Sequence, residues 1–382
     1  MKKTQTILII LIIILINTGC SNDDSTQTNS EELVSCEGDV ILKSQEEIIS
    51  FARNGCQKII GSLTIDDIGA NFDENADIFD LSLLNSLIEV TGTVAIINNP
   101  NIESINALYN LNKIGGLAIQ FNENLNEING FNNLEIIGAF FSIFTNNNLS
   151  KVSGFNNLKS IAGNNFEISF NSNLVEINGF SELQSLITLS VVDNDILTKI
   201  IGFNNLIEIA GGFRLTENPI NEMNAFNNLE TVDGEFIIWN TELTNMTNFM
   251  NLKIVSGRFW LDYNHELINL NGFNNLTTVE DAIRIGFFEG NISLQNIQAL
   301  GNLNSALSLY IQYNESLTSL NGLENLVQNI NEIDIYDNNN LTDFCAISNI
   351  VQTIGFNSGN IGIFGNGFNP DSNDFITGNC NQ

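Results

Sequence analysis

The fold is decided by a repeated stretch that is clearest at residues 202–220, which read GFNNLIEIAGGFRLTENPI, and that begins again as GFNNL at 272–276. One leucine marks each copy, and successive leucines are 23–27 residues apart. A near-constant period over eleven copies predicts a solenoid, in which stacked copies form the core that one copy cannot bury alone. The marker leucines are Leu87, Leu111, Leu134, Leu158, Leu183, Leu206, Leu229, Leu252, Leu276, Leu303 and Leu326.

Within each copy, large apolar residues recur at every second position, as in Phe213-Arg214-Leu215. Period two predicts a strand whose flanking residues point inward, and stacked copies would pair as parallel strands about 4.8 Å apart. An asparagine follows each strand, and its inward amide could bond backbone groups that the bend leaves unpaired, forming a buried ladder. These asparagines are Asn99, Asn122, Asn146, Asn171, Asn194, Asn218, Asn240, Asn264, Asn291, Asn314 and Asn338. The glycines before the phenylalanines are expected to need unusual backbone angles.

Composition limits the possible functions. The 382 residues include 13 basic and 44 acidic residues, so the net charge is −31. Such a chain has no basic footprint for a nucleic acid backbone, and we expect no nucleic acid partner. The single histidine, His265, excludes a two-histidine metal site, and we expect neither a metal nor another cofactor. A hydrophobic content of 43% with 15% charged residues is typical of a folded chain with a sizeable core.

The N-terminus carries the features of an export signal. Two lysines precede an apolar run at residues 7–16, which is too short to span a bilayer. Gly19 directly before Cys20 resembles a bacterial lipobox, and this predicts that Cys20 becomes a lipidated N-terminus. The alternative is an ordinary signal peptide with a stray cysteine.

The segment after Cys20 is polar and is expected to be a flexible tether. Residues 21–24 resemble the acidic surface-export signal of Bacteroidota lipoproteins, or they are merely part of a soluble spacer. We therefore expect an outer-membrane protein that is lipid-anchored and exposed on the cell surface, with no other membrane contact.

Four further cysteines lie near the two ends of the folded region, and they allow three pairings. Cys36–Cys56 with Cys345–Cys380 is the most economical pairing, because the partners are near in sequence. An oxidising compartment would keep such bridges stable. They would fasten the caps that the open ends of a solenoid need.

Residues 111–125, with Leu, Ile, Gly, Ile, Asn and Leu in that order, resemble the receptor L domain family, as does the front segment at residues 44–65. The resemblance covers roughly residues 36–382. It implies a mainly β, right-handed, leucine-rich-repeat-like solenoid of about eleven 23–25-residue coils with disulfide-bridged end caps, as in Bacteroidota lipoproteins. It also implies binding at a surface, although one fold carries many roles.

These observations divide the chain into five segments. They are the lipoprotein signal peptide (1–19), the lipidated N-terminus and tether (20–35), the N-terminal cap with the first strand (36–66), the repeat solenoid (67–342) and the C-terminal cap (343–382). The N-terminal cap should contain a short helix, because Ser44-Gln45-Glu46-Glu47 is a capping box.

A polysaccharide hydrolase or lyase is the rival class, because parallel β-helix enzymes use paired carboxylates for such chemistry. The outward acids Glu167, Asp262 and Asp334 lie several coils apart, too far for one site. Asp193 and Glu217, at strand ends on neighbouring coils, are an adjacent pair that is also typical of solvated turn acids. No nucleophile and histidine set is present, so we expect no catalytic residues. A purely structural envelope protein is the other alternative.

Strand register predicts two columns of outward side chains. From about residue 213 to residue 336 the columns are rich in aromatic residues and arginines, although strands favour aromatic residues in any case. We expect this surface of a monomeric protein to bind an extended ligand, either an extracellular glycan with acidic groups or a surface protein or peptide. The predicted ligand-binding residues are Arg214, Ile237, Trp239, Trp260, Arg284, Tyr310 and Tyr336.

Overall fold

A parallel ladder of strands runs along the solenoid, and each coil adds one strand to it. The structure, a computed structural model, describes residues 32–67, 76–355 and 359–382; Cys20, the predicted signal peptide and most of the tether lie outside this range. Val34–Gln382 forms one compact unit. The strands of this main ladder are Val40–Leu42, Leu63–Asp66, Glu89–Ile97, Lys113–Gln120, Phe141–Phe144, Phe166–Ser169, Leu189–Val192, Phe213–Thr216, Phe236–Trp239, Phe259–Asp262, Ala282–Ile285, Ser308–Gln312, Glu332–Tyr336 and Ile361–Phe364.

Two further ladders complete the coils. The side ladder shares a sheet with the main ladder, because Glu89–Ile97 and Lys113–Gln120 are long enough to run through both. Its other strands are Ser35–Glu37, Lys58–Ile60, Ile136–Ile137, Ser160–Ile161, Ser185–Leu186, Glu208–Ile209, Thr231–Val232, Ile254–Val255 and Thr278–Val279. The back ladder is a separate sheet of Ser104–Ile105, Glu127–Ile128, Lys151–Val152, Glu176–Gly179, Lys199–Gly202 and Glu222–Ala225.

The solenoid has about 13 turns, slightly more than the eleven that the leucine markers predicted. The difference arises because the two end segments contribute strands to the main ladder without carrying the marker. Val40–Leu42 and Leu63–Asp66 pair in parallel at the front, and Ile361–Phe364 pairs with Glu332–Tyr336 at the back. The predicted fold class is confirmed.

The caps contain the helices and the disulfides. Both expected bridges, Cys36–Cys56 and Cys345–Cys380, are present. The front helix begins after Ser44, whose side chain accepts a hydrogen bond from the backbone N–H of Glu47. In the part of the chain that the structure describes, no helix is long and apolar enough to cross a membrane. The α-helices are Gln45–Ala52, Ser348–Ile354 and Ser372–Thr377, and the 3-10 helices are Ser82–Ser86, Thr247–Phe249, Gln298–Leu300 and Cys345–Ile347.

Stacked phenylalanine rings fill the core beside the marker leucines. Every marker leucine is fully buried, as the repeat predicted. The phenylalanine at the second position of GFNNL, or of its variants GFSEL, AFNNL and NFMNL, stacks on its counterpart in the next coil, with ring centroids between 4.8 and 6.0 Å apart. Offset aromatic stacks at this separation add to the free energy of burial. The stacked rings are Phe131, Phe155, Phe180, Phe203, Phe226, Phe249 and Phe273.

The asparagine ladder closes one corner of every coil, and Asn194 shows its bonding. Its Oδ1 accepts hydrogen bonds from the backbone N–H and the side-chain amide of Asn171 at 3.2 and 3.1 Å. Its Nδ2 donates to the carbonyl oxygens of Ile168 and Val192 and to Oδ1 of Asn218. The ladder therefore satisfies backbone groups that the bend would otherwise leave unpaired in the core.

One predicted member of the ladder was wrong. Asn240 lies one residue too early, at a positive φ of 51°, and Thr241 occupies the buried ladder position instead. The threonine hydroxyl donates to Oδ1 of Asn264 at 2.7 Å, so it supplies one of the missing asparagine contacts. At the other end, Asn366 extends the ladder by one coil beyond Asn338.

Four of the glycines before the stacked phenylalanines, Gly154, Gly179, Gly202 and Gly272, have the predicted positive φ, whereas Gly130 does not. Gly202 has a φ of 116°, a conformation that side chains disfavour, and a Cβ there would collide with the carbonyl of Gly179. Close approach of successive coils therefore requires glycine at this corner.

Candidate functional site

Backbone pairing aligns the outward side chains as their spacing predicted. The first column contains Ala118, Ser142, Glu167, Ser190, Arg214, Ile237, Trp260, Arg284, Tyr310 and Asp334 in continuous register. The second column runs through Gln120, Phe144, Ser169, Val192, Thr216, Trp239 and Asp262, and resumes at Gln312 and Tyr336. Gly286 leaves this column, because pairing stops at Ile285 and residues 286–290 form a loop.

Side chains of that loop pack against the two tryptophans and form a cluster with them. Strand register alone did not predict this cluster. Trp239 and Trp260 stack with ring centroids 5.5 Å apart, and Phe288 lies parallel to Trp239 at 5.9 Å. Phe287 approaches Trp260 edge-on at 6.0 Å. Phe288 remains 57% exposed, so it enlarges the aromatic surface that a ligand can reach. We call Trp239, Trp260, Arg284, Phe287, Phe288 and Tyr310 the tryptophan cluster.

The guanidinium group of Arg284 is surrounded by three aromatic rings of this cluster. Its guanidinium carbon is 4.5 Å from the ring centroid of Phe287, 5.2 Å from that of Tyr310 and 5.6 Å from that of Trp260. Among the described residues no carboxylate lies within 4.0 Å of its nitrogens. A half-buried cation that is held by aromatic faces alone can still bind an anionic group.

Tyr310 closes the cluster on its C-terminal side. Its hydroxyl donates a hydrogen bond to Glu332 Oε2 at 2.7 Å. Burial raises the pKa of Tyr310, and the bond to the Glu332 carboxylate raises it further, while Arg284 acts in the opposite direction. The phenol is therefore neutral near pH 7 and fixed in orientation beside the arginine.

Two predicted binding residues lie in the predicted column but are less available to a ligand than expected. Ile237 points outward between Arg214 and Trp260 but is only 6% exposed, so its neighbours cover it. Arg214 is exposed, but its guanidinium pairs with Glu235 at 2.6 Å, and Arg258 pairs with the same carboxylate. Burial favours a higher pKa for Glu235, yet hydrogen bonds from Arg258 and Arg214 lower it overall. Arg214 is thus engaged in an ion pair, although Arg214 and Arg258 share one carboxylate and the three side chains together keep one positive charge.

Tyr336 belongs to a separate group of rings at the C-terminal end. It stacks on Phe364 with centroids 4.8 Å apart, and Tyr313 meets it edge-on at 5.6 Å. The predicted patch is therefore not continuous, because Tyr336 lies with these rings and not with the tryptophans.

A third outward column was missed in the sequence. The residue before each ladder position adopts a positive φ, which lies between 51 and 58° where that residue is not glycine, for example at Phe121, Phe170 and Tyr313. Phe121 and Phe170 both pack edge-on against Phe144, and each remains about half exposed. Position alone could have identified this column, since each member directly precedes a ladder residue. Phe144 and Phe170 line an open cleft of about 440 Å³ with Asp193 and Asp195.

The acidic residues considered for catalysis differ in their burial and in their neighbours. Asp262, predicted to be outward, is fully buried and bonded to backbone N–H groups. Asp193 and Glu217 lie together in a cleft of about 280 Å³ that Asp195 and Glu242 also line. Burial raises the pKa of Asp193, and the charges of Glu217 and Asp195 raise it further. Within residues 32–67, 76–355 and 359–382, no group of three or more His, Cys, Asp or Glu side chains could hold a metal ion.

Sequence comparison supports the resemblance that the repeat suggested. Residues 55–125 match the family model of the receptor L domain. The receptor L match begins beside the front disulfide and ends at Leu125, so it includes the first regular coils. Together with the solenoid it confirms the predicted resemblance, and it favours a ligand-binding, non-enzymatic protein.

Comparison with solved structures adds little to the receptor L match. A chain of the structure titled "Crystal structure of TLR13-ssRNA13 complex" is 14% identical and aligns with a TM-score of 0.29. The alignment covers 83% of this chain but only 59% of that chain, and so weak a likeness has no bearing on the ligand. No curated protein matches the chain at a significant level.

Proposed function

We propose that the protein binds an extended glycan bearing acidic groups, with the tryptophan cluster as its site. The receptor L match supports ligand binding in general, and the cluster supports this choice of ligand. The rings of Trp239, Trp260 and Phe288 partly cover one another, and the parts that remain exposed, above all Phe288, offer surfaces on which sugar rings can stack. Their spacing along a rigid ladder suits a ligand longer than one sugar.

The observation that carries the proposal is the position of Arg284. Seven of the eleven Lys and Arg side chains that the structure describes pair with carboxylates, whereas Arg284 is surrounded by aromatic rings. A planar guanidinium binds a carboxylate or sulfate through two parallel hydrogen bonds. Screening weakens the repulsion from acids more than about 10 Å away at 0.1 M salt, so the charges close to the site matter most for binding.

The proposed location is the outer membrane, with a lipid on Cys20 and the solenoid exposed on the cell surface as a monomer. The lipobox-like Gly19-Cys20 and the polar residues after it support this proposal. A tether at the front end would leave the aromatic face free to meet an extracellular glycan.

A glycan array tests the proposed ligand. The probe is the non-lipidated Cys20→Ser chain, applied to carboxylated, sulfated and neutral glycans. We expect binding to acidic glycans and its loss in a Trp239→Ala, Trp260→Ala, Arg284→Ala triple variant. A Phe121→Ala, Phe170→Ala variant is the matched control, because it removes exposed rings from the same face.

Equal binding by the wild type and the triple variant, with both folded by circular dichroism, would exclude the tryptophan cluster as the site. Binding confined to neutral glycans would exclude the proposed role of the arginine.

A further inference from the structure

Asp262 is a buried carboxylate with no cationic partner in the described part of the chain. Its oxygens accept hydrogen bonds from the backbone N–H groups of Tyr263 at 2.9 Å, Phe288 at 3.0 Å and Gly290 at 2.9 Å. The side chain is fully buried. Burying a charge without a cation is unfavourable unless hydrogen bonds replace its hydration, and three backbone donors do so here. Two of the three donors belong to one loop, residues 286–290.

The loop is an insertion into the repeat. Leu276 and Leu303 are 27 residues apart, whereas most successive markers are 23–25 residues apart. Glycines with φ of 73 and 74° stand at its two ends, at Gly286 and Gly290. A Cβ at either glycine would collide with a carbonyl of the next coil. Backbone packing against the next coil therefore fixes the two ends of the loop. The hydrogen bond from the backbone N–H of Phe288 to Asp262 fixes its middle.

Phe287 and Phe288, at the tip of the loop, pack against the other members of the tryptophan cluster. Phe288 lies over both tryptophan rings, at 5.9 Å from Trp239 and 6.1 Å from Trp260. Phe287 contacts both Trp260 and Arg284, which also approach each other. Trp260 Nε1 and Arg284 Nε are buried and have no hydrogen-bond partner in the described residues. The loop thus encloses polar donors as well as rings.

We propose that Asp262 is a positioning residue, and that it holds residues 286–290 as a preformed arm that supplies Phe288 to the ligand site. The role of Phe288 in binding rests on the proposed function, but the positioning of the arm does not. The arm makes the site specific for ligands with ring faces, because Phe288 extends the stack of two tryptophans by a third, largely exposed ring. A preformed arm also lowers the entropy lost on binding.

Tryptophan fluorescence tests the positioning without any ligand. Trp239 and Trp260 are the two tryptophans of the chain, and both contact Phe288. Asp262→Asn keeps the shape of the side chain but leaves only one acceptor oxygen, and its amide N–H groups face backbone donors. We expect red-shifted emission and stronger acrylamide quenching in this variant. Asp334→Asn is the matched control, since it lies on the same face away from the loop.

Phe288→Ala is the second variant, and it keeps the test decisive if Asp262→Asn does not fold. Its side chain is exposed, so the fold should survive while emission and quenching change in the same direction. Wild-type emission in folded Asp262→Asn, or in Phe288→Ala, would show that the arm does not lie on the tryptophans as proposed.

Dextran sulfate, an acidic polysaccharide, is the probe for the ligand role. We expect Asp262→Asn and Phe288→Ala to weaken its binding roughly tenfold, which corresponds to about 1.4 kcal/mol. If Arg284→Ala weakens binding and these two variants do not, the arm is outside the site and the proposed function stands. If the wild-type chain does not bind, the acidic-ligand proposal and the binding role of Phe288 both fail, and fluorescence alone decides the positioning.

Discussion

The guanidinium carbon of Arg284 lies 4.5 Å from the ring centroid of Phe287, and the ring takes the place that a carboxylate occupies beside Arg214. The two arginines belong to the same outward column, yet Arg214 is bonded to Glu235. This contrast makes one of them a candidate anion ligand and the other its natural control. Column position alone does not distinguish the two.

Arg284→Ala should weaken dextran sulfate binding more than Arg214→Ala does. If Arg284 is a hot spot, the loss is about 2 kcal/mol or more. The loss should shrink between 0.1 and 1 M salt, because the screening length falls from about 10 Å to about 3 Å. Titration calorimetry at several salt concentrations measures both effects. An equal loss in the two variants, or a loss that salt does not change, would contradict an ion pair between Arg284 and the ligand.

Asn194→Ala should destabilise the solenoid strongly. The substitution removes the acceptor of the backbone N–H of Asn171 and a donor to the carbonyl of Ile168 in the buried corner, and each unsatisfied group costs about 1–3 kcal/mol. Asn240→Gly is the matched control, because Asn240 lies outside the ladder and glycine tolerates its positive φ. Thermal melting followed by circular dichroism compares the variants. Similar melting temperatures for Asn194→Ala and the wild type would mean that the ladder contributes little to stability.

Cys20→Ser should release the protein from the membrane fraction. The expected reason is the loss of the thiol that carries the lipid, since the run at residues 7–16 is too short to span a bilayer. Ser21→Ala, one residue away, should remain anchored and serves as the control. Fractionation and immunoblotting check the result. Continued membrane association of the Cys20→Ser protein would be incompatible with a lipid anchor at this position.

Much of the fold could be predicted because its signals are local. The leucine period, the alternation of strand residues and the asparagine corners each follow from spacing in the sequence, and both disulfides join cysteines that are near in sequence. Asn240 shows where spacing fails, because the coil contains an asparagine and a threonine side by side and packing selects Thr241.

The candidate site was only partly predictable because its character depends on contacts between coils. The column assignment of Ile237 was right, but its burial depends on longer neighbours. The pairing of Arg214 depends on Glu235, which lies just before the next strand. The spacing of 27 residues between Leu276 and Leu303 is longer than the others, but it does not indicate that Phe288 lies on Trp239. Such contacts are set by tertiary packing and leave no periodic signal.

Asp193→Asn should stabilise the protein at pH 7 and have no such effect at pH 3. Burial raises the pKa of Asp193 in the folded state, and the charges of Glu217 and Asp195 raise it further. A carboxyl whose folded pKa is above its unfolded value opposes folding when ionised. The penalty is therefore absent below the unfolded pKa, near 3.9, and complete above the folded pKa.

Melting temperatures of the wild type and Asp193→Asn at the two pH values measure this difference. Asparagine accepts the positive φ of 52° at this position, so backbone strain should not obscure the result. Asp337→Asn, at the corresponding corner of another coil, controls for the effect of an amide at such a φ. A gain in melting temperature that is as large at pH 3 as at pH 7 would show that the charge of Asp193 is not its cause.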